Sequence, residues 1–93
     1  MPVPEKLIPS EIIIPLIVDL QLLESHYQRT YIRPDLYKGA LDSSSHLLFE
    51  EYNVTKADFD ASFSYYASDR DTIYSIYEAA LDTINFRINQ RSF

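Results

Sequence analysis

Ninety-three residues make one domain, because two cores of half that size would be too small to stand alone. Fourteen acidic against eight basic residues leave a net charge of −6, which repels nucleic-acid phosphates and anionic bilayers and favours basic partners. The absence of cysteine excludes a disulfide, a thiolate metal site, a cysteine nucleophile and a lipid-bearing cysteine within these residues.

The chain opens with an extended segment, 1–9, punctuated by Pro2, Pro4 and Pro9. The stretch from Leu7 to Leu23 is the most apolar. Pro9, Ser10, Glu11, Pro15, Asp19 and Gln21 interrupt it too often for a membrane span, and Met1–Lys6 does not lead into a signal-peptide core. Ser10 is the expected cap of a first helix over 10–29, whose Ile13, Leu16, Ile17, Leu20, Leu23 and Tyr27 recur at three- and four-residue steps. Pro15 deletes about one backbone hydrogen bond there and predicts a bend, not a break.

Residues 31–42 mix Pro34 and Gly39 with scattered apolar side chains and read as a connection with a short helical turn. A second helix is expected over 43–53, with Leu47, Leu48 and Tyr52 on one face and Asn53 as a left-handed stop.

Two S/T-x-x-D boxes then open two helices, Thr55 to Asp58 and Ser68 to Asp71. In such a box the hydroxyl accepts from the third helical N–H, while the carboxylate sits at the positive end of the helix dipole. Val54 and Phe59 stand at the spacing of a hydrophobic staple. The third helix, 55–67, places Phe59, Ser62, Phe63 and Tyr66 on one face and turns Lys56, Asp60 and Ser64 outward. The fourth and longest, 69–91, repeats the pattern with Ile73, Tyr77, Ala80, Leu81, Ile84 and Ile88, and brings Arg87 and Arg91 to its negative end. The third and fourth helices are expected to form the best-specified hairpin. The whole is an all-α, irregular antiparallel bundle of about four helices in a single domain, 1–93.

Ile8-Pro9 leading into Ile17-Val18-Asp19-Leu20, then Glu50-Glu51-Tyr52-Asn53-Val54-Thr55, Phe59-Asp60-Ala61-Ser62-Phe63-Ser64-Tyr65-Tyr66 and Ile76-Tyr77-Glu78, resembles the Bacteroidota envelope family catalogued as domain of unknown function 4296. Phe59-Asp60-x-Ser62-x-x-Tyr65-Tyr66 is its most specific piece, with the Asp19 region second. The resemblance implies a small helical domain without assigned activity, made with a lipoprotein signal and tethered on the periplasmic side of an envelope membrane. The chain departs from that pattern in lacking the lipobox cysteine, so a membrane attachment implies a lipid anchor on a segment removed ahead of Met1. It also carries Gln21 where a histidine is common and Asn53 where a glycine is common. Asparagine tolerates the same left-handed backbone.

No residue set specifies catalysis, a cofactor or a metal. His46 and Glu50 share a helical face, but two ligands do not hold a transition metal, and His26 lies close in sequence to carboxylates that satisfy it. Asp58, Asp69 and Asp71 are accounted for by capping; Asp60 is not, and calls for a salt bridge or a tyrosine hydroxyl. Ser62 and Ser64 lack a nucleophile elbow. Eight tyrosines are the compositional oddity, with Tyr65, Tyr66, Tyr74 and Tyr77 drawn to the third-to-fourth helix corner. Tyr66 and Tyr77 suit the core, whereas Tyr65 and Tyr74, with Asp60, form the candidate surface for a protein partner. The function expected is a non-enzymatic, envelope-associated interaction module. The alternative is a carrier of a small apolar ligand or lipid fragment, its pocket between the first helix and the hairpin.

Overall fold

Isoleucine, leucine and valine at positions 13, 16, 17 and 18 turn one side of the first helix into the centre of the molecule, and all four are buried. The computed structural model describes residues 2–30 and 33–91, with the side chains of Pro34 and Arg91 excepted. Tyr31, Ile32 and the Arg91 side chain therefore lie outside what is described. Four helices and no strand occur among the described residues: α1 (Ser10–Thr30), α2 (Pro34–Glu51), α3 (Lys56–Ala67) and α4 (Arg70–Arg91). Helix α1 packs against both α2 and α4, each more extensively than α3 packs against α4. The organising element is thus α1 and not the α3–α4 hairpin, because α1 takes part in both of the most extensive helix pairings.

One cluster joins Ile8, Ile13, Ile17, Val18, Ile76 and Ala80, with Val54, Phe59, Phe63, Tyr66 and Ile84 packed around it. Full burial of an aliphatic side chain of this size contributes about 1.5–3 kcal/mol. Principal extents of 40 × 33 × 22 Å describe a slab rather than a sphere. Its radius of gyration, 14.4 Å, exceeds the roughly 12 Å of a compact domain this long. A slab has too little interior for all its apolar side chains, and several stay on its surface.

Three boundaries differ from those the sequence suggests. The Ile12 and Ile13 amides donate to the Pro9 carbonyl at 3.0 and 2.9 Å, so Ser10 is already helical and Pro9 occupies the capping position. Helix α1 then runs unbroken through Pro15. Helix α2 begins at Pro34 and absorbs most of the expected connection. Proline at a first-turn position lacks only an N–H that would have no partner there, and Gly39 is exposed enough to be carried as an ordinary helical residue. Tyr37 supplies the packing that holds this added turn: it is buried and stacks on Tyr27 at 5.9 Å. Further along α2 it is Phe49 that is buried, while Leu47 is 64% exposed and leaves the expected face.

The junctions around α3 follow the same logic. Asn53 has φ 57°, the left-handed stop, and the Thr55 hydroxyl accepts from the Asp58 amide at 3.0 Å. At the far end the second box shifts by one residue. The Ser68 hydroxyl donates back to the Tyr65 carbonyl at 2.5 Å and closes α3, while the Asp69 carboxylate bonds Thr72 and opens α4. With only Ser68 and Asp69 between the helices, the serine is taken up by the helix it ends. Helix α4 buries Ile76 and Ala80, with Tyr77 46%, Leu81 57% and Ile88 52% exposed. Its inner face is therefore rotated away from the expected stripe, toward α1.

Candidate functional site

Two polar constellations tie the slab together, and the sequence singled out part of each. In the first, Asp19 projects from the middle of α1. Its Oδ2 accepts from the Tyr52 hydroxyl at 2.6 Å, and its Oδ1 accepts from Arg87 Nη1 of α4 at 2.9 Å. Tyr52 stands at the C-terminal cap of α2, so one carboxylate joins three helices. Burial, reinforced by the hydrogen bond to Asp19, pushes the Tyr52 phenol up to about 12 and keeps it a donor. Both oxygens of Asp19 are thereby occupied, and the carboxylate acts as a structural joint. Arg87, expected only to complement the end of α4, belongs to this joint; no local pattern links it to Asp19 across 68 positions.

The second constellation explains the Phe59-Asp60-x-Ser62-x-x-Tyr65-Tyr66 motif. Ser62 is completely buried, and its hydroxyl accepts from the Ile8 amide at 2.9 Å. Tyr66 donates to the Ile8 carbonyl at 2.7 Å. Both backbone groups of Ile8 are thus held by side chains one helical turn apart, and the extended segment is strapped across α3. Burial raises the Tyr66 phenol, with Tyr65 and Glu11 adding to it. Phe59 and Phe63 stack at 6.0 Å along the same face, and Phe49 meets Phe59 at 5.5 Å.

The three residues proposed for a partner differ in how they are presented. Asp60 is neutralised by Lys56 at 2.7 Å, the salt bridge its mid-helix position required. Tyr65 is half-buried with its ring edge-on to Tyr66. Tyr74 alone is freely presented, at 71% exposure. Tyr77 lies edge-on to Phe63 at 6.1 Å but remains nearly half in solvent, so it borders the core without closing it. His46 pairs with Glu50 at 3.0 Å on the surface, and His26 meets Tyr27 edge-on. Among the described residues no three His, Cys, Asp or Glu side chains converge as a metal site.

What the surface does offer is a line on α4. Tyr74, Tyr77 and Leu81 follow one another at three- and four-residue steps, Ile88 continues the line, and all are exposed. Beside it lies a shallow groove of about 170 Å³ bordered by Leu20, Gln21 and Glu24 of α1 and by Phe59, Phe63 and Tyr77. An apolar-ligand pocket is expected between α1 and the α3–α4 hairpin; besides this groove, one of about 300 Å³ lies there, bordered by Ser10 and Ile14 of α1 and by Tyr66, Thr72, Ser75 and Ile76, at the lower end of the size range of small-molecule sites. A larger open groove of about 530 Å³ runs between α1 and α2, over Leu22, Leu23, Leu47 and Leu48.

The architecture is that of a small all-α bundle held by internal polar joints. Residues 4–90 match the family described as Domain of unknown function (DUF4296), and the chain belongs to that family. No curated protein and no solved structure gives a significant match. No helix among the described residues is long and apolar enough to cross a membrane.

Proposed function

We propose that this domain is a non-enzymatic interaction module that binds a protein partner through the outer face of α4. The observation that supports this reading is the line of exposed apolar side chains from Tyr74 through Leu81, on a helix whose adjoining side is already committed to the core. Isolated exposed hydrophobes are ordinary, but neighbours aligned on one helix face make a contiguous patch of the kind that marks interaction sites. Tyrosine in particular supplies contact area at low entropic cost. The most chemically suggestive cluster, Asp19 with Tyr52 and Arg87, is spent on joining helices, which favours a binding role over a catalytic one. Association with an envelope membrane on its periplasmic side rests on family resemblance. Fractionation of the native cells tests it, and recovery in the cytoplasm would remove it from the proposal.

The module itself is tested by affinity capture from native envelope membranes followed by mass spectrometry, using the unaltered chain and a Tyr74→Ala/Leu81→Ala variant. The expected result is a reproducible protein partner held by the first and lost by the second, with both melting at the same temperature. Absence of a reproducible partner, or equal capture by the two proteins, overturns the reading.

A further inference from the structure

The charges flanking the α4 line say what kind of partner it takes. Asp71, Glu78 and Asp82 are all exposed and follow at steps of seven and four, parallel to Tyr74, Tyr77 and Leu81 on the side away from the core. On the other side, across the shallow groove beside Tyr77, stands Glu24 of α1, also exposed. From Tyr74 to Leu81 the line is thus an apolar strip between acidic borders, while its Ile88 end lies beside His26 and Arg29 of α1. Arg87, the neighbouring cation toward the core, is already engaged by Asp19. Among the described residues, Arg70 at the start of α4 and Arg29 of α1, which borders a groove with Ile88, are exposed cations near the two ends of the strip.

Resting on the reading above, we infer that the α4 strip is a docking site for an amphipathic helix whose apolar stripe is flanked by lysine or arginine. The strip runs from Tyr74 to Ile88, roughly 21 Å at 1.5 Å per residue, the length of about four turns of a facing helix. Apolar side chains at three- and four-residue steps receive another helix laid alongside, as in helix-in-groove recognition. Flanking carboxylates then select the partner by sign, since like charges across such a seam are destabilising and opposite charges steer and fix the register. The same borders oppose two alternatives. In an antiparallel pair of identical α4 helices the acidic row of one copy faces that of the other, and an anionic bilayer meets the row head-on.

The test uses two synthetic helical peptides of about 20 residues with identical leucine stripes, flanked by lysine in one and by glutamate in the other. Each is titrated against the full chain by fluorescence anisotropy. The lysine-flanked peptide is expected to bind at least ten-fold tighter, with the preference shrinking in about 0.5 M salt. Glu78→Lys/Asp82→Lys is expected to reverse the preference, and Tyr74→Ala/Leu81→Ala to abolish binding of both peptides without change in melting temperature. Equal binding of the two peptides, failure of the lysine-flanked peptide to bind, self-association of the chain that is lost in Leu81→Ala, or stronger retention on anionic vesicles than on the peptide each overturn the inference. Capture of the native partner separates this failure from that of the module: capture that needs Tyr74 and Leu81 but is indifferent to Glu78→Lys/Asp82→Lys sinks the charge-selected helix and leaves the module standing.

Discussion

The Tyr52 hydroxyl donates to Asp19 across 33 positions of sequence, joining the end of α2 to the middle of α1 at 2.6 Å. Because Arg87 takes the other carboxylate oxygen, the three side chains form one coupled unit, and loss of either donor is felt by Asp19. Tyr52→Phe is expected to destabilise the fold by about 1–2 kcal/mol, the cost of one hydrogen bond to a charged group. Arg87→Met costs about 1 kcal/mol, as this pair is partly solvated. The double variant exceeds the sum, since Asp19 is then left half-buried without a donor; a double-mutant cycle by urea denaturation measures the excess.

The same contact sets an alkaline limit. The Tyr52 phenol is raised from its ordinary 10.0 to about 12 in the folded chain, by burial first and then by Asp19. A raised folded-state value means that the stabilisation is complete below pH 10 and is lost as pH climbs toward about 12, where the phenolate forms in the folded protein as well. Thermal melts across this window are expected to fall steeply for the unaltered chain and less steeply for Tyr52→Phe. Parallel slopes would show that another group sets the limit.

The strap over α3 predicts a pair of unequal losses. Ser62→Ala leaves the Ile8 amide without an acceptor inside the core and costs about 2–3 kcal/mol, whereas Tyr66→Phe releases a carbonyl that is nearer solvent and costs about 1 kcal/mol. Hydrogen exchange at the Ile8 amide reports the strap directly. It is expected to be protected in the unaltered chain and to exchange at the rate of a free peptide in Ser62→Ala.

Asn53 holds φ 57°, a conformation that glycine adopts freely and β-branched residues resist. Asn53→Gly is expected within about 0.5 kcal/mol of the unaltered chain, and Asn53→Val to lose about 1–2 kcal/mol by chemical denaturation.

Gly39 offers the opposite opportunity. It lies inside α2, and a Cβ added there meets nothing within 4 Å. Gly39→Ala is therefore expected to raise stability by about 0.5–1 kcal/mol, read as a higher melting temperature with an unchanged far-ultraviolet spectrum.

How far the sequence could be read depended on the range of the signal. Caps and stops are local, and Thr55, Asn53 and the inward face of α3 were legible from a few adjacent residues. Ser68 misled because its hydroxyl had two helices within reach, and the box motif does not say which one wins. Helix α2 was hidden at its start because Pro34 and Gly39 are breakers by propensity. Their effect was reversed by position and by the stacking of Tyr37 on Tyr27, a tertiary contact. Of the two tyrosines named for a partner surface, Tyr74 is exposed and Tyr65 is half-buried. Tyr65 and Tyr66 share the same composition argument, but Tyr66 is drawn inward by a carbonyl 58 positions away, and Tyr65 follows its ring. The apolar periodicity of α4 was visible, yet which half of it faces outward depended on where α1 lies.

The grip of Ser62 and Tyr66 on Ile8 has a mechanical meaning. A load drawn along the leading residues reaches α3 before it can unwind α1, and it is met by two hydrogen bonds that must rupture together. Tension at that end is therefore delivered to the midst of the bundle, on the helix that precedes α4.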